Sequence, residues 1–423
     1  MSLKVSEIEI MAPVGSYESL ATAINAGADS IYFGVTQLNM RSRSAANMTL
    51  EDLRKVADTC HKNKIKCYLT VNTLLYDHEL IVMRKIVDAA KANNIDAIIA
   101  SDFAVLQYCK DTKMPVHIST QLSISNYESV KFFAQFTNRV VLARELTIDQ
   151  IKDIYKKIEA EQLMGCDGHL MEIECFVHGA LCVAQSGRCY MSLYTQGSSA
   201  NRGACKQNCR AKYKVTDVDT GKELIVDNHY IMSAADICTI DFIDQLLEAG
   251  IKVWKIEGRG RSPEYVDTVV RTYKQALKDL EVGTYKQNIE SYFDKLKTAY
   301  NRGLSHGNFF LGKEIGAYSN IHGSQATQEK EFIGKVFHYY PEPKVVEIVI
   351  ESGTLSVGDM FSITGATTGV ELGEIKELRK DNESIQKAVK GDRVTFPFDP
   401  YIRKNDNMYR IFNRTHFQDD GNH

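Results

Sequence analysis

The chain has no surplus of charge of either sign. Lysine and arginine number 51 and aspartate and glutamate 54, a net charge of −3 over 423 residues. The basic excess that marks a nucleic-acid binder over its whole surface is missing, so any contact with a polyanion has to rest on a local patch. Proline is scarce, at 7 residues, which speaks against long linkers and disorder. No apolar run approaches the roughly 18 residues that span a membrane. Met1–Pro13 holds none long enough for a signal peptide, so the expected location is cytoplasmic. Three catalytic signatures are missing as well. No Gly-x-Gly-x-x-Gly follows the first apolar run, no His-Glu-x-x-His occurs, and Ser186 is not embedded in Gly-x-Ser-x-Gly. These gaps weigh against a dinucleotide fold, a zinc peptidase and a serine hydrolase.

What is present begins with a core. Hydrophobic residues make up 44% of the chain, and short apolar runs alternate with amphipathic stretches. Ile8–Ala12, Ser30–Gly34, Lys66–Val71, Ala97–Ala100, Val116–Ser119, Arg139–Ala143, Glu172–Val177 and Lys252–Ile256 read as strands. Ser19–Ala26, Leu50–Lys62, His78–Ala92, Glu128–Gln135, Thr147–Lys157, Ile240–Ala249 and Ser262–Leu280 read as helices. Strands alternating with helices predict a parallel sheet, and eight is the number that closes a TIM-type (β/α)8 barrel. An open doubly wound sheet is the alternative. The barrel is expected over residues 1–325, interrupted by a long insertion at 179–229.

After Gly316 the texture changes to short alternating runs. Phe332–His338, Val345–Ile350, Met360–Thr364 and Arg393–Pro397 are separated by turn signals such as Lys390-Gly391-Asp392. They predict a small C-terminal antiparallel β-barrel domain over 330–415, joined through Ser319–Lys330.

In a TIM barrel the reactive groups lie past the C-terminal strand ends. Those positions are polar: Arg41 and Arg43 after the second strand, Asn72 after the third, Gln121 after the fifth, Arg144-Glu145 after the sixth, His178 after the seventh, and Glu257, Arg259 and Arg261 after the eighth. Arginine forks suit a carboxylate or phosphate, and a histidine can serve as acid or base. Ion pairing at the rim, Arg144 with Glu145 and Glu257 with Arg259, is the plainer alternative, as is a packed structural role for His178.

Cysteine is abundant, at 10 residues, and five of these lie between Cys175 and Cys209. From Cys182 the spacing is C-x6-C-x15-C-x3-C, with Cys238 after 28 intervening residues. Structural zinc sites carry paired knuckles, and only Cys205 and Cys209 approach one. Thiolates arriving singly suit an iron–sulfur cluster, while zinc and unligated buried cysteines stay open. From Cys175 to Thr216 there is no Asp or Glu, in a chain with 54 of them. The same stretch holds Arg188, Arg202, Lys206, Arg210, Lys212 and Lys214, which favours a bound anion. Cys60, Cys67 and Cys109 read as small core residues, and Cys166 as incidental.

Several segments carry a resemblance. Ala12-Pro-Val-Gly15, Gly27–Gly34, His117-Ile-Ser-Thr-Gln121, Leu142-Ala-Arg-Glu145 and Lys255-Ile-Glu-Gly-Arg259 are similar to the barrel motifs of a known family. Glu174-Cys-Phe-Val-His-Gly179, with Ser186-Gly-Arg-Cys189 and Asn201-Arg-Gly203, resembles its signature. The family is number 32 among the peptidases of unknown mechanism, often labelled collagenase-like. Within it the chain resembles the members that hydroxylate tRNA without oxygen, turning the wobble uridine into 5-hydroxyuridine. Others act on ribosomal RNA or on the ubiquinone ring. The resemblance implies a 4Fe–4S cluster on Cys182, Cys189, Cys205 and Cys238, with Cys209 as the competing fourth ligand. It also implies prephenate as an oxygen source, tRNA as the partner and no membrane. The catalytic candidates are then His178, Arg144, Glu145, Glu174 and Arg259. Arg41, Asn72, Gln121, Arg188 and Arg261 are expected to hold the cofactor or co-substrate. Arg202, Lys206, Arg210, Lys212 and Lys214 are expected to meet RNA, with Arg403, Lys404, Arg410 and Arg414 assisting. Peptidase activity is not expected, since neither a nucleophile with its base nor a zinc motif is present.

Overall fold

A computed structural model describes residues 3–43, 47–185, 188–211, 213–226, 232–310, 313, 317–319 and 323–414. Seven parallel strands come first: β1 (Glu9–Pro13), β2 (Ser30–Phe33), β3 (Lys66–Val71), β4 (Ala97–Ala100), β5 (Val116–Ile118), β6 (Arg139–Val141) and β7 (Glu172–Gly179). Inside the insertion, β8 (Tyr213–Thr216) and β9 (Glu223–Val226) form a hairpin. The short β10 (Asp236–Cys238) then lies antiparallel against the end of β7, and β11 (Ile251–Ile256) follows. β11 pairs in parallel with both β1 and β7, which closes an eight-stranded parallel barrel. A two-residue strand, β12 (Leu304–Ser305), adds to β10.

The eight barrel strands fall on the eight apolar runs read in the sequence. Both faces of each are buried, so they appear as near-continuous apolar runs rather than alternating ones. Helices begin where side-chain caps allow. Ser16 and Asn126 accept from the backbone N–H three residues on, and Thr147 forms a capping box with Gln150. The helix Phe103–Thr112, capped by Asp102, and the helix Ile289–Thr298 are additions to the sequence reading.

The barrel interior is layered. At its N-terminal end Arg139 bridges Glu9 at 2.8 Å and Glu172 at 2.7 Å. Above lie Met11, Tyr32, Tyr68, Ile99 and Val253. The opposite end holds the cavity described below.

β7 carries one irregularity with a consequence. Phe176 pairs with Lys255 but His178 pairs with Ile256, so Val177 is an extra residue in the strand. Such a bulge reverses the alternation of side chains beyond it.

The C-terminal region is an antiparallel sheet containing Gln328–Tyr340, Val345–Ile350, Met360–Gly365, Gly369–Glu374, Arg393–Pro397 and Asn407–Asn413. It has its own core of Ile333, Ile348, Phe361, Ile363, Phe396 and Met408. It docks on two outer helices of the barrel. Asn25, at the end of the helix Tyr17–Asn25, donates to Thr368 O at 3.0 Å, and Lys330 pairs with Glu264 of the helix Pro263–Val282 at 2.7 Å. No helix of the described residues is long and apolar enough to cross a membrane.

Candidate functional site

The C-terminal strand ends and the insertion enclose a cavity of about 160 Å³. From the strand side come Tyr32, Arg41, Asn72, Gln121, Arg144, Phe176, Lys255, Glu257 and Arg259. From the insertion come four cysteines, Cys182, Cys189, Cys205 and Cys209, with Asn201 and Asn208. A second cavity of about 170 Å³ adjoins it. Cys182, Cys205, Cys209, Arg41, Arg144 and Glu257 line both and form the partition.

The insertion is held over the barrel by its own polar residues. Asn201 Oδ1 accepts the Cys189 N–H at 3.1 Å. Gly203 lies at φ 81°, where a Cβ would stand 2.3 Å from Asn39 O, so this contact requires glycine. Arg202 pairs with Glu79 at 2.5 Å and stacks 3.9 Å from the centre of the Tyr76 ring. Arg210 donates to Leu181 O at 2.6 Å and to Ser233 Oγ at 2.9 Å, tying the Cys182 loop to Cys209's neighbour. The acid-free basic stretch is therefore partly a set of fasteners. Arg202 and Arg210, expected to face RNA, direct their guanidiniums into the protein instead. Lys206 and Arg188 are exposed, and Arg188 does not line the cavity. Lys212 lies outside the described residues, and so does the side chain of Lys214. In the C-terminal sheet Arg410 pairs with Glu331 and Arg414 with Glu329, while Arg403 donates to Thr368 Oγ1.

The thiols fall into two groups. Cys209 lines the cavity together with Cys182, Cys189 and Cys205, and burial pushes its thiol up. Cys238 lies elsewhere. It is fully buried on β10 opposite His178, its thiol pushed up to about 12 by burial. The fourth position around the cavity is thus filled by Cys209, not by Cys238. A single zinc with bonds of about 2.3 Å would draw tetrahedral sulfurs to within roughly 4 Å of one another. Among the described residues no three of these cysteines meet within 4.8 Å. Cys60, Cys67 and Cys109 are buried, and Cys166 is exposed.

Four cations and one carboxylate line the first cavity: Arg41, Arg144, Lys255 and Arg259 against Glu257. Glu257 pairs with Arg41 at 2.7 Å, not with Arg259 as the rim alternative has it. Burial pushes the Glu257 carboxyl up, but Arg41, with Arg144 and Arg259, outweighs it and holds the group down at about 2. Arg259 donates to Asn39 Oδ1 at 3.1 Å and Thr70 Oγ1 at 2.9 Å, and burial lowers it to about 10. Gly34 gives it room, because a Cβ there would meet the guanidinium at 2.4 Å. Arg144 donates to Ala180 O at 2.9 Å and sits 4.2 Å from the centre of the Phe176 ring, with its buried Nε unpartnered. Neither Arg144 nor Arg259 makes a direct carboxylate ion pair among the described residues, and Glu257, already paired with Arg41, is the single carboxylate facing four cations. Asn72 Nδ2 donates to Gln121 Oε1 at 3.2 Å, which places both amides in the wall.

Three catalytic candidates are not on this wall. His178 is buried between Tyr265 and Tyr273, and burial takes its imidazole down to about 3. The bulge at Val177 turns it away from the barrel axis, on which Phe176 still faces. Glu145 is exposed outside the cavity. Glu174 lies beneath the wall, fully buried, with Oε1 2.7 Å from Lys255 Nζ. Arg261 belongs to the second cavity alone and stacks 3.6 Å from the centre of the Tyr300 ring.

Sequence reasoning missed Lys255, Tyr32, Asn39 and Thr70. Lys255 had a readable signal, a lysine within the otherwise apolar run Val253-Trp254-Lys255-Ile256. A charge in the middle of a fully buried strand needs a partner and a reason.

The model of peptidase family U32 matches residues 15–317. A collagenase of Porphyromonas gingivalis is 48% identical over 413 residues, covering 97% of this chain and 100% of its own. A tRNA hydroxylation protein of Bacillus subtilis is 30% identical over 349 residues, covering 80% of this chain and 79% of its own. The 23S rRNA 5-hydroxycytidine synthase of Escherichia coli is 34% identical over 279 residues, covering 66% of this chain and 40% of its own.

Proposed function

Because the chain belongs to peptidase family U32, we propose that it hydroxylates RNA, as its relatives named for tRNA and rRNA hydroxylation do, and does not cleave peptide bonds. The observation carrying this reading is the convergence on one cavity of four thiols with four cations that outnumber a single carboxylate. In the finer form of the proposal the target is the wobble uridine of tRNA, the product 5-hydroxyuridine and the oxygen source prephenate. Cys182, Cys189, Cys205 and Cys209 would hold a 4Fe–4S cluster. Such a cluster, when bound, supplies electron-transfer chemistry.

The protein's own residues do the rest. Arg144 and Arg259 bind carboxylates through charge-assisted hydrogen bonds. Phe176 and Tyr32 offer ring faces to an unsaturated ring. Asn72 and Gln121 present amides suited to a pyrimidine edge. Arg41, fixed by Glu257, keeps the partition between the two cavities cationic. The expected location is the cytoplasm, where tRNA is found.

The 48% identity to a protein named collagenase favours peptide hydrolysis as a second reading. Against it, no histidine lines the cavity among the described residues, so none of its cysteines or serines has an imidazole base. Nucleoside mass spectrometry of tRNA from a strain lacking the gene tests the proposal. Loss of 5-hydroxyuridine, restored by the wild-type chain and not by Cys205→Ala, supports it. Unchanged 5-hydroxyuridine refutes the tRNA assignment.

A further inference from the structure

The insertion carries an exposed aromatic face beside the cavity. The α-helix Met191–Gln196 within it has two different sides. Ser192 is buried, and the exposed Thr195, three residues on, lies on the same side of the helix. Ser192 Oγ accepts the Lys206 N–H at 3.0 Å and donates to Asn208 Oδ1 at 3.1 Å, while Asn208 Nδ2 donates to Thr195 Oγ1 at 2.5 Å. These bonds fix the helix on the Cys205–Cys209 loop, and Met191 and Ser192 reach the cavity lining. Tyr190, Leu193 and Tyr194 fall on the other side, 61%, 41% and 88% exposed. Residues four apart share one face of a helix, so the two tyrosines stand as neighbours.

We propose that Tyr190 and Tyr194 form a stacking platform for the unpaired nucleotides that flank the reacting base. This rests on the reading of the chain as an RNA hydroxylase. Chemistry on a base requires that base to leave its stack, and the neighbours it leaves behind need a surface to rest on. A ring as exposed as Tyr194 buries nothing within this chain. The surrounding charge selects the partner. Arg188 and Lys206 are exposed beside the helix, and no Asp or Glu occurs from Cys175 to Thr216. A peptide partner would not call for the exclusion of acids over that length, whereas a phosphate backbone does. Aromatic rings next to a cationic track are the means by which proteins hold single strands, and stacking tolerates any base because every base has a π-face.

The test uses the full chain and fluorescence anisotropy with two probes, a stem–loop RNA with an unpaired loop and the same stem as a blunt duplex. Tyr194→Ala should weaken stem–loop binding roughly five- to hundred-fold, the size of one base–aromatic stack. Tyr190→Ala should act in the same direction. Tyr194→Phe and Tyr194→Trp should bind as the wild type does, and Tyr194→Leu should not. Binding of the blunt duplex should be unchanged, and the slope of affinity against salt should be the same in every variant, because no phosphate contact is removed. If the wild type binds the stem–loop and Tyr190→Ala/Tyr194→Ala binds it equally well, the platform is overturned while the RNA reading stands. An equal loss on the duplex, or rescue by Tyr194→Leu, also overturns it. If the wild type binds neither probe but binds anionic vesicles or a second copy of itself, both readings fall.

Discussion

Lys255 Nζ, in the cavity wall, lies 2.7 Å from Glu174 Oε1 beneath it, both side chains buried, and among the described residues the second carboxylate oxygen of Glu174 has no hydrogen-bond partner. The lysine also sits 4.4 Å from the centre of the Tyr32 ring. A buried pair tolerates loss of both charges far better than loss of one. Lys255→Met should therefore lower stability by about 3–5 kcal/mol, the cost of stranding a buried carboxylate. Lys255→Met/Glu174→Gln should recover much of that loss. Urea unfolding of the three variants measures the coupling, and additive single effects would contradict the pairing.

Anaerobic reconstitution with iron and sulfide tests the thiol set. Alanine at Cys182, Cys189, Cys205 or Cys209 should abolish the visible iron absorbance. Alanine at Cys238, Cys60, Cys109 or Cys166 should leave it intact. Loss in Cys238→Ala with retention in Cys209→Ala would restore the ligand set that the resemblance implies. Bound iron in every variant would remove the cluster from the proposal.

The excess of cations over the single carboxylate Glu257 in the cavity predicts anion binding. Removing one charge-assisted partner costs about 1.5–3 kcal/mol. Arg144→Ala and Arg259→Ala should each weaken prephenate binding by roughly ten- to hundred-fold, read by calorimetry. Arg144→Lys should restore only part, because an ammonium lacks the planar fork and the stacking on Phe176. Full affinity in both alanine variants would place the anion elsewhere.

His178 predicts a dependence of stability, not of catalysis, on pH. Its folded pKa of about 3 lies below the ordinary value of 6.5. The unfolded chain therefore takes up a proton that the folded chain refuses between those values. The contribution is complete above about pH 6.5 and is lost as pH falls toward 3, at up to roughly 1.4 kcal/mol per unit. Replacing the imidazole with a group that does not titrate, in His178→Phe, should flatten the unfolding midpoint against pH over that window. The same variant should keep tRNA modification wherever it folds. Loss of modification in a stably folded variant would return His178 to the site.

The platform of tyrosines makes one further expectation in cells. Tyr190→Ala/Tyr194→Ala should lower the modified fraction of tRNA while iron content stays at the wild-type level. Parallel loss of iron would mean that the rings support the insertion rather than the substrate.

The eight barrel strands were legible in order because each is a short apolar run between helical stretches, a pattern set by neighbours in the chain. The Cys-rich insertion and its acid-free stretch were legible too, since spacing and composition are local properties. What the sequence could not decide was direction and partnership. A single extra residue, Val177, turns His178 out of the barrel, and no periodicity reveals which strand position will bulge. Cys209 and Cys238 both follow the first three thiols. Only the return of the chain as β10 against β7 buries one and leaves the other at the cavity. Arg202 and Arg210 read as free cations until Glu79 and the carbonyl of Leu181 are brought beside them from distant segments. Local pattern determined which elements form and which residues carry chemistry. The register of strands far apart in sequence, and the long-range partners it supplies, determined which of those residues share one cavity.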